Sequence, residues 1–366
     1  MKTNRIISRI CNRMQHYIPG AAAVALGSSL ATTHTEAREP SIDDYVEPST
    51  PFHFRVERFA KNPIITRDLP GLEAEIGKNI NGPSLIRVPD WVEKPLGKYY
   101  LYFAHHHGKY IRLAYADALE GPWKIHEPGV LPLKETPSYH ARRGDHVASP
   151  DLLIDEENRR LVMYYHGRRI PGHAMNHQVS FVALSENGLD FESLPDPLGH
   201  FYFRVFRHDD GFHYALAKNR NAGGIMYRSR DGLRDFEEGP RILPRVRHKA
   251  LWLHEGNLYV FFSRGGDAPE HILVSRIENL GDDWHNWRFT TPISVLKSEK
   301  VWEGADEPIE ESRWGAIHRP VHELRDPAIY EEDGRVYMLY STAGEQALAI
   351  AEIFLETYPP ASNVAL

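Results

Sequence analysis

The chain has 366 residues, of which 25% are charged and 42% hydrophobic, a composition typical of a globular protein. Its formal net charge of -7 gives no overall attraction to nucleic acid or to an anionic membrane, so neither is expected as a partner. Aromatic residues make up 11% of the chain, which supplies flat surfaces for β-sheet packing or for sugar rings.

The N-terminal residues follow the pattern of a secretory signal peptide. Basic residues come first, a run of small apolar residues follows over 18–31, and a polar tract extends to Pro40. We predict a signal peptide and leader over residues 1–37 and a single domain over residues 38–366, in a secreted or periplasmic protein. An amphipathic terminus is the alternative. No later apolar run is long enough to cross a membrane.

The remainder of the chain repeats one plan, in which an inner strand, a polar turn and a second strand precede a third strand. The second strands align best: KYYLYFA from Lys98, RLVMYYH from Arg160, FHYALAK from Phe212, NLYVFFS from Asn257 and RVYMLYS from Arg335. Repeated short strands with turns between them predict an all-β fold, a five-bladed β-propeller. A two-sheet sandwich is the alternative. The segment from Arg55 is predicted to supply the missing outer strand of the last blade.

A long charged loop with glycine and proline separates the fourth repeat from the fifth, beginning at Val301. Loops of this length within a compact domain are usually functional or disordered. Trp302 and Trp314 indicate an ordered loop, and we predict that it belongs to the site.

The propeller plan brings unusual polar residues to one rim, because first strands begin and second strands end at the same face. Glu345 is one residue that this rule places there, at the end of the fifth second strand. We predict that the substrate-binding residues at this rim are Asn81, His105, His106, His146, Asp151, His166, Arg168, Lys218, His248, Arg264 and Arg325.

The segment RDPAIYEEDGRVYMLYS, from Arg325, resembles the blade signature of five-bladed propeller glycosidases. These are the glycoside hydrolases of family 43 and the related fructosidases and anhydrogalactosidases. The turns SENGLDF and SRDGLRDF are similar to theirs as well, and the resemblance covers Asn62 to Ile353. It implies a glycoside hydrolase that acts on oligosaccharides of plant or algal polysaccharide, without an organic cofactor.

In those enzymes carboxylates from separate blades flank the glycosidic bond, and their separation decides inversion or retention of configuration. Asp326, before Pro327, matches the family's Asp-Pro position. Arg325 beside it is expected to lower its pKa and so suit it to a base or a transition-state stabiliser. The resemblance makes Glu303 the candidate acid, and Asp145 is the third candidate.

The chain departs from the family at two acidic positions, where it has Asn81-Gly82-Pro83 and Ser149-Pro150. A histidine can replace one acid, because its unperturbed pKa near 6.5 suits proton transfer at neutral pH. The resemblance to the anhydrogalactosidases suggests such a role for His105, His106 or His146.

No metal ligand is assigned, because consecutive residues of the 105–107 histidine run point to opposite faces of a strand. A single calcium ion in the central channel, as in some relatives, is left open. The many rim cations favour an anionic substrate such as a uronic acid or a sulfated sugar, whereas pairing with loop acids is the alternative. Two other functions stay open: a propeller that binds carbohydrate without cleaving it, and a polysaccharide lyase with a His or Tyr base.

Overall fold

A computed structural model describes residues 41, 44–72, 78–168 and 177–358 of the chain. The predicted signal segment over residues 1–37 lies outside these ranges. Within them, no helix is long and apolar enough to span a membrane.

The described residues form five antiparallel sheets that follow one another along the chain as the blades of a β-propeller. The strands are β1 (Phe52–Arg58), β2 (Ile65–Thr66), β3 (Asn81–Arg87), β4 (Tyr99–Ala104), β5 (Tyr110–Ala116), β6 (Lys124–Pro132), β7 (Val147–Asp155), β8 (Arg160–Gly167), β9 (Val179–Ser185), β10 (Glu192–Ser193), β11 (Gly199–His200), β12 (Arg204–Arg207), β13 (His213–Asn219), β14 (Gly223–Ser229), β15 (Glu237–Pro244), β16 (Val246–His254), β17 (Asn257–Arg264), β18 (Ile272–Ile277), β19 (Ile293–Leu296), β20 (Arg325–Glu332), β21 (Arg335–Thr342) and β22 (Ala347–Thr357). Short 3-10 helices cover Leu133–Glu135, Trp284–Asn286 and Val301–Glu303. The predicted all-β, five-bladed propeller is confirmed.

Each blade has its innermost strand first: β3–β6 form blade 1, β7–β11 blade 2, β12–β15 blade 3 and β16–β19 blade 4. Blade 5 combines β20, β21 and β22 with β1 from the N-terminal side of the domain. Strand β1 pairs antiparallel with β22 from Phe52 opposite Thr357 to Arg58 opposite Ala351. The predicted closure of the last blade by the segment around Arg55 is therefore confirmed, and it joins the two ends of the ring.

The core lies between the blades rather than at one centre. Five hydrophobic clusters each fill the space between two neighbouring blades. A blade's second strand contributes to the clusters on both its faces, so all six residues of β4 are buried. Burial on both faces explains why the second strands read as continuous apolar runs instead of alternating.

The innermost strands of the propeller contain β-bulges. In blades 1, 2 and 5 the pairing of first and second strands skips two residues, and these are Gly82-Pro83, Ser149-Pro150 and Asp326-Pro327. The first residue of each pair has a left-handed backbone, with φ of 59°, 52° and 50° respectively. A bulge bends the strand and re-aims its side chains, and a left-handed Ser or Asp costs on the order of 1 kcal/mol. The three positions are structurally equivalent, yet only blade 5 places a carboxylate there.

Candidate active site

A cleft of about 390 Å³ opens at the rim where first strands begin and second strands end. Its described lining residues come from blades 1 to 4 and from the long loop before β20: Asn81, His106, His107, His146, Ala148, His166, Gln178, Phe201, Tyr202, Lys218, Asn221, Arg247, His248, Trp314 and Gly315. Five of these residues are histidines, and none of the described lining residues is a carboxylate.

The structure brings together six of the predicted substrate-binding residues in this cleft: Asn81, His106, His146, His166, Lys218 and His248. We call the argument that placed them there, from where first strands begin and second strands end, the rim rule. Sequence reasoning missed Tyr202, which lies two residues before the innermost strand of blade 3. The same rule, applied to that blade, would have found it. Trp314 lies in the wall of the cleft, so the long loop does contribute to the site.

Asp326 lies behind the cleft and contacts one of its histidines. Its Oδ1 is 2.5 Å from Nδ1 of His248, and Ser341 Oγ donates to its Oδ2 at 3.0 Å. Nε2 of His248 lies 3.0 Å from the Tyr202 hydroxyl. A carboxylate, an imidazole and a phenol therefore form a chain that leads from the protein interior into the cleft.

Burial, with the charge of Glu345, raises the pKa of Asp326 to about 6, although Ser341 and Arg325 oppose the shift. The net direction is opposite to the lowering expected from Arg325. Burial also keeps the pKa of His248 well below its usual value, with Arg247 and Lys218 adding to the effect. The pair thus consists of a carboxyl group that titrates near neutrality and an imidazole held in its neutral form.

The guanidinium of Arg325 is surrounded by carboxylates other than that of Asp326. Its Nε donates to Glu323 Oε2 at 2.7 Å and its Nη1 to Glu345 Oε1 at 3.2 Å, and Glu270 Oε2 is 3.6 Å from Nε. The side chain is fully buried. The structure therefore places Arg325, which we predicted to bind substrate, in an internal charge network behind the cleft.

Glu345 forms a second contact between a buried carboxylate and a cleft histidine. Its Oε2 lies 3.4 Å from Nδ1 of His106 and accepts hydrogen bonds from the side-chain amides of Asn79 and Asn81. Burial would raise the pKa of Glu345, but His106, Arg325 and Asn79 outweigh it and hold the pKa well below its usual range. Glu345 is therefore an anion beside His106.

Glu303, predicted to be the acid, lies among other partners. Arg58 Nε donates to Oε1 at 2.7 Å, the Tyr340 hydroxyl donates to the same oxygen at 2.9 Å, and the backbone N–H of Lys300 donates to Oε2 at 3.1 Å. Glu303 contacts Tyr340 of β21, whereas Asp326 contacts the next residue, Ser341. Since adjacent strand residues point to opposite faces, the structure does not bring Glu303 and Asp326 together. Glu303 ties β1 to the loop instead.

Asp145 and Asp151 also have structural partners and do not line the cleft. Asp145 Oδ2 accepts from the backbone N–H of His140 at 2.7 Å and of Arg142 at 3.0 Å, so it shapes the turn before His146. Asp151 Oδ2 accepts from the backbone N–H of Val205 at 3.0 Å and joins blades 2 and 3.

Three further predicted residues stand outside the lining. His105 Nδ1 accepts from the backbone N–H of His107 at 3.0 Å, within the turn after β4. Arg168 lies 3.5 Å from Asp145. Arg264 Nε donates to Asp267 at 3.1 Å, at the end of β17.

The centre of the propeller is occupied by cationic side chains. Arg204 Nε donates to the Lys249 carbonyl at 3.1 Å and its Nη1 to the Ser149 carbonyl at 3.3 Å, so it bridges innermost strands of three blades. Lys249 Nζ is buried, and none of the described residues forms a hydrogen bond with it. Calcium requires six to eight oxygen ligands, and no group of three or more His, Cys, Asp or Glu among the described residues is arranged to hold a metal ion. A calcium ion held by one histidine and water molecules stays a prediction.

The comparisons with known proteins give a family and a fold. No protein-family model matches the chain. The uncharacterized protein R118 of Acanthamoeba polyphaga mimivirus is 33% identical over 330 residues, which are 81% of this chain and 90% of R118. The chain belongs to the R118 family.

Solved structures extend the comparison of this R118-family member to the fold. A family-43 glycoside hydrolase from Xanthomonas citri matches with a TM-score of 0.52 and 14% identity, over 78% of this chain and 88% of that chain. A family-43 β-xylosidase/α-arabinofuranosidase from a compost microbial metagenome, solved with xylotriose, also has a TM-score of 0.52 and 14% identity, over 84% and 96% of the two chains. These glycoside hydrolases and this chain share the five-bladed propeller fold.

Proposed function

We propose that the protein is a glycoside hydrolase that cleaves oligosaccharides in the histidine-rich cleft. One observation carries the proposal: two buried carboxylates of blade 5, Glu345 and Asp326, each contact a histidine that lines the cleft. Two carboxylate–histidine pairs can supply the acid and the base that glycoside hydrolysis requires. The glycosidase fold supports this assignment.

The surroundings of the two histidines suit different roles. Glu345 Oε2 lies 3.4 Å from Nδ1 of His106 and holds the ring at the edge of the cleft, and we assign His106 as the proton donor to the leaving-group oxygen. His248 is neutral because of its burial, so it is the base.

The proposed reaction breaks the bond between the anomeric carbon and the glycosidic oxygen. His106 gives a proton to that oxygen, and a water molecule forms the new bond to the anomeric carbon. The water proton passes through the Tyr202 hydroxyl to Nε2 of His248. Asp326, which does not reach the cleft, is a positioning residue that holds the His248 imidazole with Nε2 directed at Tyr202.

The test is release of reducing ends from a panel of neutral and acidic oligosaccharides, with His106→Gln and His248→Gln as variants. General acid–base catalysis contributes about 100- to 10,000-fold, so each variant should lose at least about 100-fold in kcat/KM. The exposed His285 provides a matched control, since His285→Gln should retain full activity. Hydrolysis that survives in both cleft variants would contradict the proposal.

A polysaccharide lyase is the second candidate, and the Tyr202 hydroxyl contact with His248 favours it. In that reaction the phenol–imidazole pair removes the proton next to a uronate carboxylate, and Arg247 or Lys218 neutralises the carboxylate. The C4–oxygen bond then breaks, and the leaving oxygen takes a proton from the same phenol–imidazole pair. The product has a new double bond that absorbs in the ultraviolet. Absorbance recorded in the same panel separates the two reactions, and binding without either product would indicate a carbohydrate-binding propeller.

Export is the remaining part of the proposal, and the pattern of residues 1–37 supports it. N-terminal sequencing of the protein recovered outside the cytoplasm should begin after Ala31 or Ala37, the two small-residue cleavage positions. An uncleaved N-terminus in that fraction would contradict the predicted signal peptide.

A further inference from the structure

Lys218 is a buried lysine of the cleft, and none of the carboxylates in the described part of the chain forms an ion pair with it. It lies near the end of β13, lines the cleft, and is only 6% exposed. No described carboxylate lies within 4.0 Å of its ammonium group. Aromatic rings lie beside it: Nζ is 4.4 Å from the centre of the Trp314 ring and 5.5 Å from that of the Phe201 ring.

The acidic groups near Lys218 are held behind the cleft by other partners. Arg247 Nε lies 3.2 Å from Glu270 Oε1, and Ser263 Oγ donates to the same oxygen at 2.7 Å. Arg325 holds Glu323 and Glu345. The described lining therefore presents Lys218 and Arg247 as cations, with their counter-charges on the far side.

We propose that Lys218, assisted by Arg247, binds the anionic group of an acidic sugar, either a uronate carboxylate or a sulfate ester. A buried ammonium without a counter-ion is stabilised by an anion that enters with the ligand, since both charges are then paired out of water. Trp314, beside both cations, forms the wall against which the sugar ring packs. This inference rests on the proposed function, because it names the substrate class of the same cleft.

Proton uptake should accompany this binding. Burial, followed by the charge of Arg247, lowers the pKa of Lys218 to about 7, while Glu270 and Asp326 oppose the shift. The charged or titratable groups that act on Lys218 or are acted on by it are Arg247, His248, Lys249, Glu270, Arg325 and Asp326. Above pH 7 the free protein carries neutral Lys218, so an anionic ligand must bring a proton with it, and its affinity falls as the pH rises.

The experiment is calorimetric titration of the purified protein with galacturonate, galactose 6-sulfate and galactose at pH 6.5 and 8.5. We expect at least one acidic sugar to bind more tightly than galactose at pH 6.5 and to weaken about tenfold or more at pH 8.5. Galactose should bind equally at both pH values. The two acidic probes identify whether the carboxylate or the sulfate is recognised.

Lys218→Met removes the charge and keeps the length of the side chain, and Lys218→Arg keeps the charge. We expect Lys218→Met to weaken the acidic sugar about tenfold or more and leave galactose unchanged, while Lys218→Arg retains the preference. The matched control is Lys124→Met, at an exposed position of β6. Equal binding of acidic and neutral sugars by the wild type, or equal losses for both in Lys218→Met, would overturn the inference.

Failure of the two proposals gives different results. If an acidic sugar binds preferentially but no oligosaccharide is cleaved, the proposal of a hydrolase is contradicted and this inference is supported. If neutral oligosaccharides are cleaved and no acidic sugar is preferred, this inference is contradicted and the proposal of a hydrolase is supported. The wild-type pH comparison does not depend on the folding of any variant.

Discussion

Replacing Asp326 by asparagine should stabilise the protein at neutral pH while lowering its activity. Asp326 is almost fully buried, and its pKa is raised from 3.8 to about 6. At pH values between these two, the unfolded chain has released the proton that the folded protein retains. Stability contributed by this proton is present below pH 3.8 and is lost as the pH rises to about 6.

The magnitude follows from the shift of about two pKa units, at 1.36 kcal/mol per unit, which gives about 3 kcal/mol. An asparagine side chain cannot ionise, so Asp326→Asn avoids this loss, and the new amide can still accept from Ser341 and contact His248. The free energy of unfolding of the variant, minus that of the wild type, should therefore increase by about 3 kcal/mol between pH 3.5 and pH 7.5.

The assay is urea unfolding at several pH values, with the exposed Asp209→Asn as a control that should show no such increase. Activity is measured on the same preparations. The amide no longer favours the imidazole orientation that directs Nε2 at Tyr202, so kcat should fall about 100-fold. A stability difference that does not vary with pH would refute the assignment of a raised pKa to Asp326.

Three other substitutions separate structural roles from chemical ones. Glu303→Gln breaks a buried ion pair with Arg58, so the free energy of urea unfolding should drop by about 3 kcal/mol. The dependence of activity on pH should not change, and loss of the limb that reports the proton donor would instead make Glu303 the acid. Tyr202→Phe removes the hydroxyl next to His248 and should lower kcat about 100-fold with little change in KM, and full kcat would eliminate the proposed proton path. Glu345→Gln removes the carboxylate that faces Nδ1 of His106 and should lower kcat/KM about 100-fold. Full activity in this variant would show that the Glu345–His106 contact plays no part in the reaction.

The blade repeat was predictable from the sequence because a propeller buries its second strands on both faces. Such strands are continuous apolar runs between polar turns, and their repetition gives the blade number. The outer strand at Arg55 followed from the missing partner of the last repeat. These features depend on local pattern and on a counting argument, both of which one sequence supplies.

The site was only partly predictable. The rim rule depends on topology alone, and it placed His106, His248 and Lys218 in the cleft. The role of Glu303 depends on Arg58, a residue 245 positions away, and no local pattern records that pairing. The pKa of Asp326 depends on its burial and on the ion pairs that Arg325 forms with other carboxylates. Sequence adjacency of Arg325 and Asp326 therefore predicted the wrong direction of the shift.

The equivalent bulge positions explain why histidines would take over the proton transfers. A side chain at Gly82 would start 3.3 Å from the Ser149 Cα, on a backbone with φ of 59° that favours glycine. Blade 1 therefore cannot hold a carboxylate there unless blade 2 moves, and blade 2 has the short Ser149 at its own bulge. The two carboxylates next to the cleft instead lie in blade 5, behind the histidines that line it. In the proposed mechanism His106 and His248 carry the protons over that distance, so the two carboxylate–histidine pairs take the place of two exposed acids.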